Sequence, residues 1–310
     1  MTRREVRRHM LDAVHAAVDP RAFLREQKRR IEKATGISIR EGEIEKLIVL
    51  KRIPGYDMHL YLQDKSFGFK QPVTMGWAIW GRVIYLPIRR IVETKIEKYG
   101  LGGHTPDSEL VREHTEMVIK FVKKVTIHEF VHLLHARHIE ESRRFTSENI
   151  SLLKKIETGN FDEEVMRAAR NGIAKLPLKE LVAIGTTMLV LEEHSVLEGV
   201  SDRFRESYDK VDQKLQETNP VQIKSDDLYT IANFFTENRH LIAIRFLIEA
   251  GPALGAGLIM QLLERPPTFE ELVQPNLYCN SRGNHVFESA HQKHYIRAIR
   301  DFMPWSVTAH

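Results

Sequence analysis

Two histidines four residues apart, with a glutamate beside the first, form the pentad His128-Glu129-Phe130-Val131-His132. On a helix, residues four apart share a face, so both imidazoles can reach one ion. Glu129 stands about 100° around the axis, where its carboxylate can touch something bound to that ion without being a ligand itself. Two imidazoles and an adjacent carboxylate are what a zinc ion needs to activate water for hydrolysis. The pentad therefore reads as a hydrolytic zinc site, with His128 and His132 as ligands and Glu129 as general base. The competing reading is a fortuitous match among the 15 histidines of the chain. Against it, Ile127, Phe130, Val131, Leu133 and Leu134 surround the polar residues with core-type side chains. Three polar groups sunk into such a helix are costly without a shared partner, and a metal satisfies all three.

A catalytic zinc takes three protein ligands and leaves a position for water. The nearer candidate for the third is His138, ten residues after His128, the spacing of the H-E-x-x-H-x-x-G-x-x-H pattern of metzincins. There a glycine at the eighth position turns the chain sharply; here that position is His135, and a residue with a side chain accepts positive φ at a cost. If the helix instead continues, His138 lies about 15 Å along the axis from His128 and cannot reach the ion. The farther candidate is Glu198, in Leu197-Glu198-Gly199-Val200-Ser201-Asp202. On a helix Glu198 and Asp202 share a face, so one can bind zinc while the other accepts a hydrogen bond from a ligand imidazole and fixes its tautomer. Glu192, Glu193 and His194 are rivals on the same stretch, but none has an acid four residues later.

The pentad followed by Glu198-x-x-x-Asp202 resembles the gluzincin arrangement of thermolysin-like metallopeptidases. The resemblance implies His128, His132 and Glu198 as zinc ligands, Glu129 as general base and Asp202 as the acid behind a ligand histidine. It implies hydrolysis of a peptide bond by zinc-bound water, with Glu129 taking the water proton and passing it to the departing amine. Tyr208, Tyr229, His240 and Tyr278 are all candidates for the group that stabilises the oxyanion. A later stretch, Pro266-Pro-Thr-Phe-Glu-Glu-Leu-Val-Gln-Pro-Asn-Leu-Tyr278, resembles a segment of uncharacterised prokaryotic H-E-x-x-H proteins. Together these motifs cover a small part of the chain.

The elements that must position these residues follow from pattern. Residues 3–33 read as two basic amphipathic helices separated at Asp19-Pro20, the second ending near Gly36. Between Leu47 and Leu86 the segments Met58–Leu62, Val73–Ile79 and Val83–Leu86 are short, β-branched or aromatic, with a hairpin turn at Trp80-Gly81-Arg82. The expectation is a small, mostly antiparallel sheet just before the metal helix, which Asp107 or Ser108 caps. A strand beside a cleft can bind an extended peptide by main-chain pairing; a sheet that only covers the helix is the alternative. After a polar connection over 140–159, helices are expected over Glu163–Ala174, Leu178–Glu193, Ser195–Ser207, Leu228–Ala250 and Ala253–Glu264. The fold class is α+β and predominantly helical. A helical arm over 1–40 precedes a zincin-like domain over 41–310, β-rich at 47–90, with the metal helix near 108–138 and a helical half over 160–310.

Composition bounds the rest. At 310 residues, 42% hydrophobic and 28% charged, the chain can bury ample core. A formal charge of +4, from 46 basic against 42 acidic residues, is too small to carry a nucleic-acid assignment. Arg3, Arg4, Arg7 and Arg8 do give the N-terminal arm a basic bias that suits RNA, an acidic partner or a membrane surface. The interspersed acids Glu5, Asp12, Glu26 and Glu32 favour a solvated helical face instead. Cys279 is the lone cysteine, which excludes an internal disulfide and fits a reducing compartment. No secretory signal is visible, and the charge-free part of the most apolar run, Ala250 to Leu263, is too short to cross a bilayer. The expectation is a soluble cytoplasmic zinc peptidase acting on peptide or protein, without a membrane partner. The alternative is a nucleic-acid or partner-binding protein on a zincin-like scaffold of little activity.

Overall fold

The computed structural model describes residues 2–50, 77–79, 83–105, 108–138, 163–191, 202–218, 227–254 and 257–280. They are mostly helical, with one small sheet. Two compact units divide the chain: Met1–Arg29 with Ser38–Leu134, and Arg30–Ile37 with His135–His310.

In the first unit, helix α1 (Arg3–Ala17) buries Val6, Met10 and Val14, one stripe at four-residue spacing. It packs on α3 (Ile88–Lys98), which buries Ile88, Ile91, Val92 and Ile96. Arg7 pairs with Glu93 at 2.9 Å and Arg3 with Glu97, so half of the arginine cluster at the N-terminus meets acids of α3. Helix α2 (Pro20–Thr35) starts and stops where its punctuation dictates. Asp19 Oδ1 accepts from the Arg21 and Ala22 amides at 2.9 and 3.2 Å, and Pro20 occupies the first helical position, where its missing N–H costs nothing. Gly36, at φ 69°, ends the helix and donates its N–H to Glu32 O at 2.8 Å.

The sheet has strand order β1-β3-β2, with β1 (Ile48–Leu50), β2 (Trp77–Ile79) and β3 (Val83–Tyr85). β2 and β3 pair antiparallel, Trp77 opposite Tyr85, whereas β1 runs parallel to β3, Ile48 opposite Val83. The described sheet is thus mixed rather than mostly antiparallel. The physical reason is the 32 residues between Leu50 and Val83, room for a crossover instead of a tight hairpin. The expected strand at 58–62 and the turn at 80–82 lie outside the described residues. Arg21 anchors the entry to β1, donating from Nε and Nη2 to Leu47 O at 2.9 and 2.7 Å.

Helix α4 (Glu109–His138) carries the pentad. Ser108 caps it: the Arg112 amide donates to Ser108 O at 3.0 Å and the Val111 amide to Ser108 Oγ at 3.4 Å. Asp107, the other capping candidate, and the connection at 140–159 lie outside the described residues.

In the second unit, α5 (Glu163–Leu191) packs against α7 (Leu228–Glu237), α8 (Arg239–Leu254), α9 (Leu258–Glu264) and α10 (Phe269–Val273). The expected break between Ala174 and Leu178 does not occur: α5 is one helix with Pro177 inside it. A proline in a helix forfeits one hydrogen bond and crowds the preceding turn. Burial of Ala174, Leu178, Leu181 and Val182 on either side offsets that cost. The break expected at 250–253 is displaced as well. Asn238 ends α7, its amide and its side-chain nitrogen both donating to Phe234 O, and Gly251-Pro252 lies inside the last turn of α8. Among the described residues, no helix is long and apolar enough to cross a membrane.

Candidate metal centre

The apolar residues of α4 fix the direction of its polar ones. Val118, Val122, Ile127, Phe130, Val131 and Leu134 are buried, so the helix cannot roll without exposing them. Thr115 and Thr126 satisfy their hydroxyls internally, donating to Val111 O and Val122 O at 2.7 Å each. On this scaffold His128 and His132 face one another, with ring centroids 4.6 Å apart and planes at 88°. Their Nε2 atoms lie 3.1 Å apart. Two nitrogens bound at 2.0–2.1 Å to a tetrahedral zinc stand roughly 3.3 Å apart, so the pair is already close to the spacing that one ion demands. Glu129 is buried at 6% exposure, one residue around the helix from His128.

Helix α4 continues unbroken through His135, which is buried, to His138. The sharp turn of the metzincin arrangement is absent, and a ten-residue rise separates His138 from His128 by about 15 Å along the axis. Glu198 lies outside the described residues, as do Glu192, Glu193 and His194. Asp202 opens helix α6 (Asp202–Glu217), so the expected helix over Ser195–Ser207 is described only from Asp202 onward.

The second unit contains a carboxylate that sequence reasoning passed over. Glu180, on α5, is buried at 7% exposure. Its Oε1 accepts from Arg239 Nε at 3.1 Å, and its Oε2 lies 3.0 Å from His240 Nε2. The signal was present in sequence: one acid in the apolar run Leu178-Lys-Glu-Leu-Val-Ala-Ile184. Starting a helix at Leu178 hid it, because an acid in a first helical turn is routine dipole compensation. In the continuous α5, Glu180 is mid-helix and buried, and Arg239 answers its charge.

The four oxyanion candidates separate. Tyr278 is fully buried, and its hydroxyl donates to backbone oxygens of the same unit, Arg265 O at 2.8 Å and Gln261 O at 3.1 Å. Burial pushes the Tyr208 hydroxyl well above its ordinary pKa, and the charges of Asp212 and Glu249 add to the rise. His240 is half-exposed beside Glu180. The Tyr229 side chain lies outside what is described. No family model, curated protein or solved structure matches this chain.

Proposed function

We propose that the chain is a zinc-dependent peptidase of zincin type, in which His128 and His132 hold the ion and Glu129 is the general base. The observation that carries this reading is the Nε2 pair, 3.1 Å apart on a helix that buries its apolar faces around it. For the third ligand, the gluzincin resemblance supplies Glu198, with Asp202 behind a ligand histidine. Two imidazoles and one carboxylate are a zinc set, since both bind zinc and no cysteine is required.

Zinc, when bound, supplies a Lewis acid that polarises the scissile carbonyl and brings the pKa of a water toward neutrality. The protein's own part is to aim two imidazoles, to keep Glu129 buried beside His128, and to move one proton. Glu129 takes that proton as water attacks the peptide carbonyl, then gives it to the departing amine nitrogen. A cytoplasmic setting fits the single cysteine.

The decisive experiment pairs metal content with activity. Glu129→Gln retains zinc and loses peptidase activity by roughly 10²–10⁴-fold, the worth of a general base. Full activity in that variant sinks the assignment. Metal content of Glu198→Ala and His138→Ala names the third ligand, and zinc is expected to be lost in the first.

A further inference from the structure

Within the second unit, helices α6, α8, α10 and α11 (Pro275–Asn280) border a cavity of about 290 Å³. Gln216 on α6, Arg245 and Glu249 on α8, and the apolar Leu215, Val273 and Leu277 line it. We infer that this cavity binds the free N-terminus of a short peptide. Glu249 takes the ammonium, Arg245 donates to the first carbonyl, and the apolar residues cover an aliphatic side chain.

Arg245 is a buried cation, its side chain 6% exposed. Its Nε carries one hydrogen, which goes to Asp212 Oδ1 at 2.6 Å, and its Nη1 donates to Val273 O at 2.9 Å. Nη2 has no hydrogen-bond partner among the described residues, so a buried guanidinium keeps a donor edge in reserve. Glu249 Oε1 lies 3.0 Å from the same Nε, whose hydrogen Asp212 already holds. Glu249 therefore feels the charge of Arg245 but accepts no hydrogen bond among the described residues. Gln216 turns its amide nitrogen to Asp212 Oδ2 at 2.8 Å, which leaves its Oε1 as a second acceptor. Neither group of the histidine pair takes part.

Charge chooses the ligand. Two acids face one arginine, an excess of one negative charge when all three are ionised. Burial pushes the Glu249 carboxyl above its ordinary pKa; Arg245 pulls it back and Asp212 adds to the rise. An ammonium supplies the missing countercharge and the missing donor together. A carboxylate on the ligand would meet Arg245 but restore the excess beside Asp212 and Glu249, so Nη2 is best met by a neutral carbonyl. An ammonium one carbon from a neutral carbonyl is the N-terminus of a peptide. The cavity stands at the small end of the roughly 300–1,000 Å³ of ligand pockets, which suits one residue and its carbonyl rather than a long chain.

The test is titration calorimetry on the full chain with leucinamide, which has the ammonium, the neutral carbonyl and an aliphatic side chain. N-acetyl-leucinamide lacks the ammonium, and leucine puts a carboxylate in place of the neutral carbonyl. Leucinamide is expected to bind saturably at millimolar concentration, leucine about tenfold more weakly, and N-acetyl-leucinamide more weakly still. Glu249→Gln, and Leu277→Lys at an exposed rim position, each weaken leucinamide by about tenfold or more, whereas His128→Ala binds it as wild type does. Absence of saturable binding, equal binding of the acetylated amide, or leucine binding as tightly as leucinamide each overturns the assigned ligand. Unchanged affinity in Glu249→Gln, or in Leu277→Lys where the first variant does not fold, overturns the cavity as the site. Binding lost in His128→Ala puts leucinamide at the metal centre, which overturns the cavity and leaves the zinc reading standing.

Discussion

In α4 the residues that make a motif and the residues that hold the helix in place are different ones. Val118, Val122, Ile127 and Phe130 do the packing, and His128 and His132 turn their Nε2 atoms toward each other. In the segment from Arg265 to Asn280 they are the same. Thr268 and Glu271 cap α10, the Arg265 guanidinium pairs with Glu271 and lies 4.8 Å over the Tyr278 ring, and the Tyr278 hydroxyl goes to Gln261 O and Arg265 O. Phe269 and Tyr278 pack on Phe235 and Phe246, at ring separations of 4.8 and 5.4 Å. In the second stretch the polar atoms close on backbone groups and on one another; in the first, two imidazole nitrogens face each other at 3.1 Å. Motif spacing signals that residues act together; where their polar atoms point decides whether they act on a ligand or on the fold.

The sharpest way to break that contrast is His132→Ala. Removing one of two imidazoles from a three-ligand set is expected to weaken zinc binding by more than about a hundredfold. The metal-free protein should melt close to wild type, since His132 is only partly buried and its loss leaves the apolar stripe intact. A large drop in metal-free stability with zinc affinity retained would place the pentad among the structural motifs.

Tyr278→Phe is the mirror image and the next in size. The ring still packs, but the hydroxyl that binds Arg265 O and Gln261 O is gone. Gln261 O keeps the Arg265 amide as donor at 2.9 Å, so the loss falls mainly on Arg265 O. A stability loss of about 1–2 kcal/mol is expected from denaturant unfolding, with zinc affinity unchanged. A tenfold change in zinc affinity would show that the segment serves the metal after all.

Most of the helical skeleton was legible in the sequence because its punctuation is local. Asp19-Pro20, Gly36 and Ser108 each act through their own backbone, and each ends or starts a helix where its chemistry says. What failed was non-local. Pro177 reads as a boundary by itself, and only the apolar residues buried on both sides keep α5 whole. The parallel pairing of β1 with β3 likewise depends on a partner far along the chain. At the site, His128, His132 and Glu129 follow from helical period alone. The surroundings of Glu180 do not, because they depend on α5 being continuous and on Arg239 and His240 arriving from 59 and 60 residues away. A pairing within one helix is visible in its period; a pairing between helices is not.

Thr268→Ala gives the smallest effect and the finest resolution. Thr268 Oγ1 accepts the Glu271 amide at 3.3 Å, and Glu271 Oε2 returns the favour to the Thr268 amide at 2.9 Å. Loss of an N-cap side chain costs about 1 kcal/mol. Here the reciprocal half survives in the alanine variant, because the Thr268 amide and Glu271 are both retained, so the loss should sit at or below that figure. Glu271→Ala keeps the residue-271 amide for Thr268 Oγ1 but removes the carboxylate half of the box and the Arg265 pair together, and is expected to cost more than Thr268→Ala. If the two variants lose the same stability, the carboxylate contributes nothing beyond the cap. The polar groups of this segment would then be fewer than its spacing advertises, and the contrast with α4 would rest on Tyr278 alone.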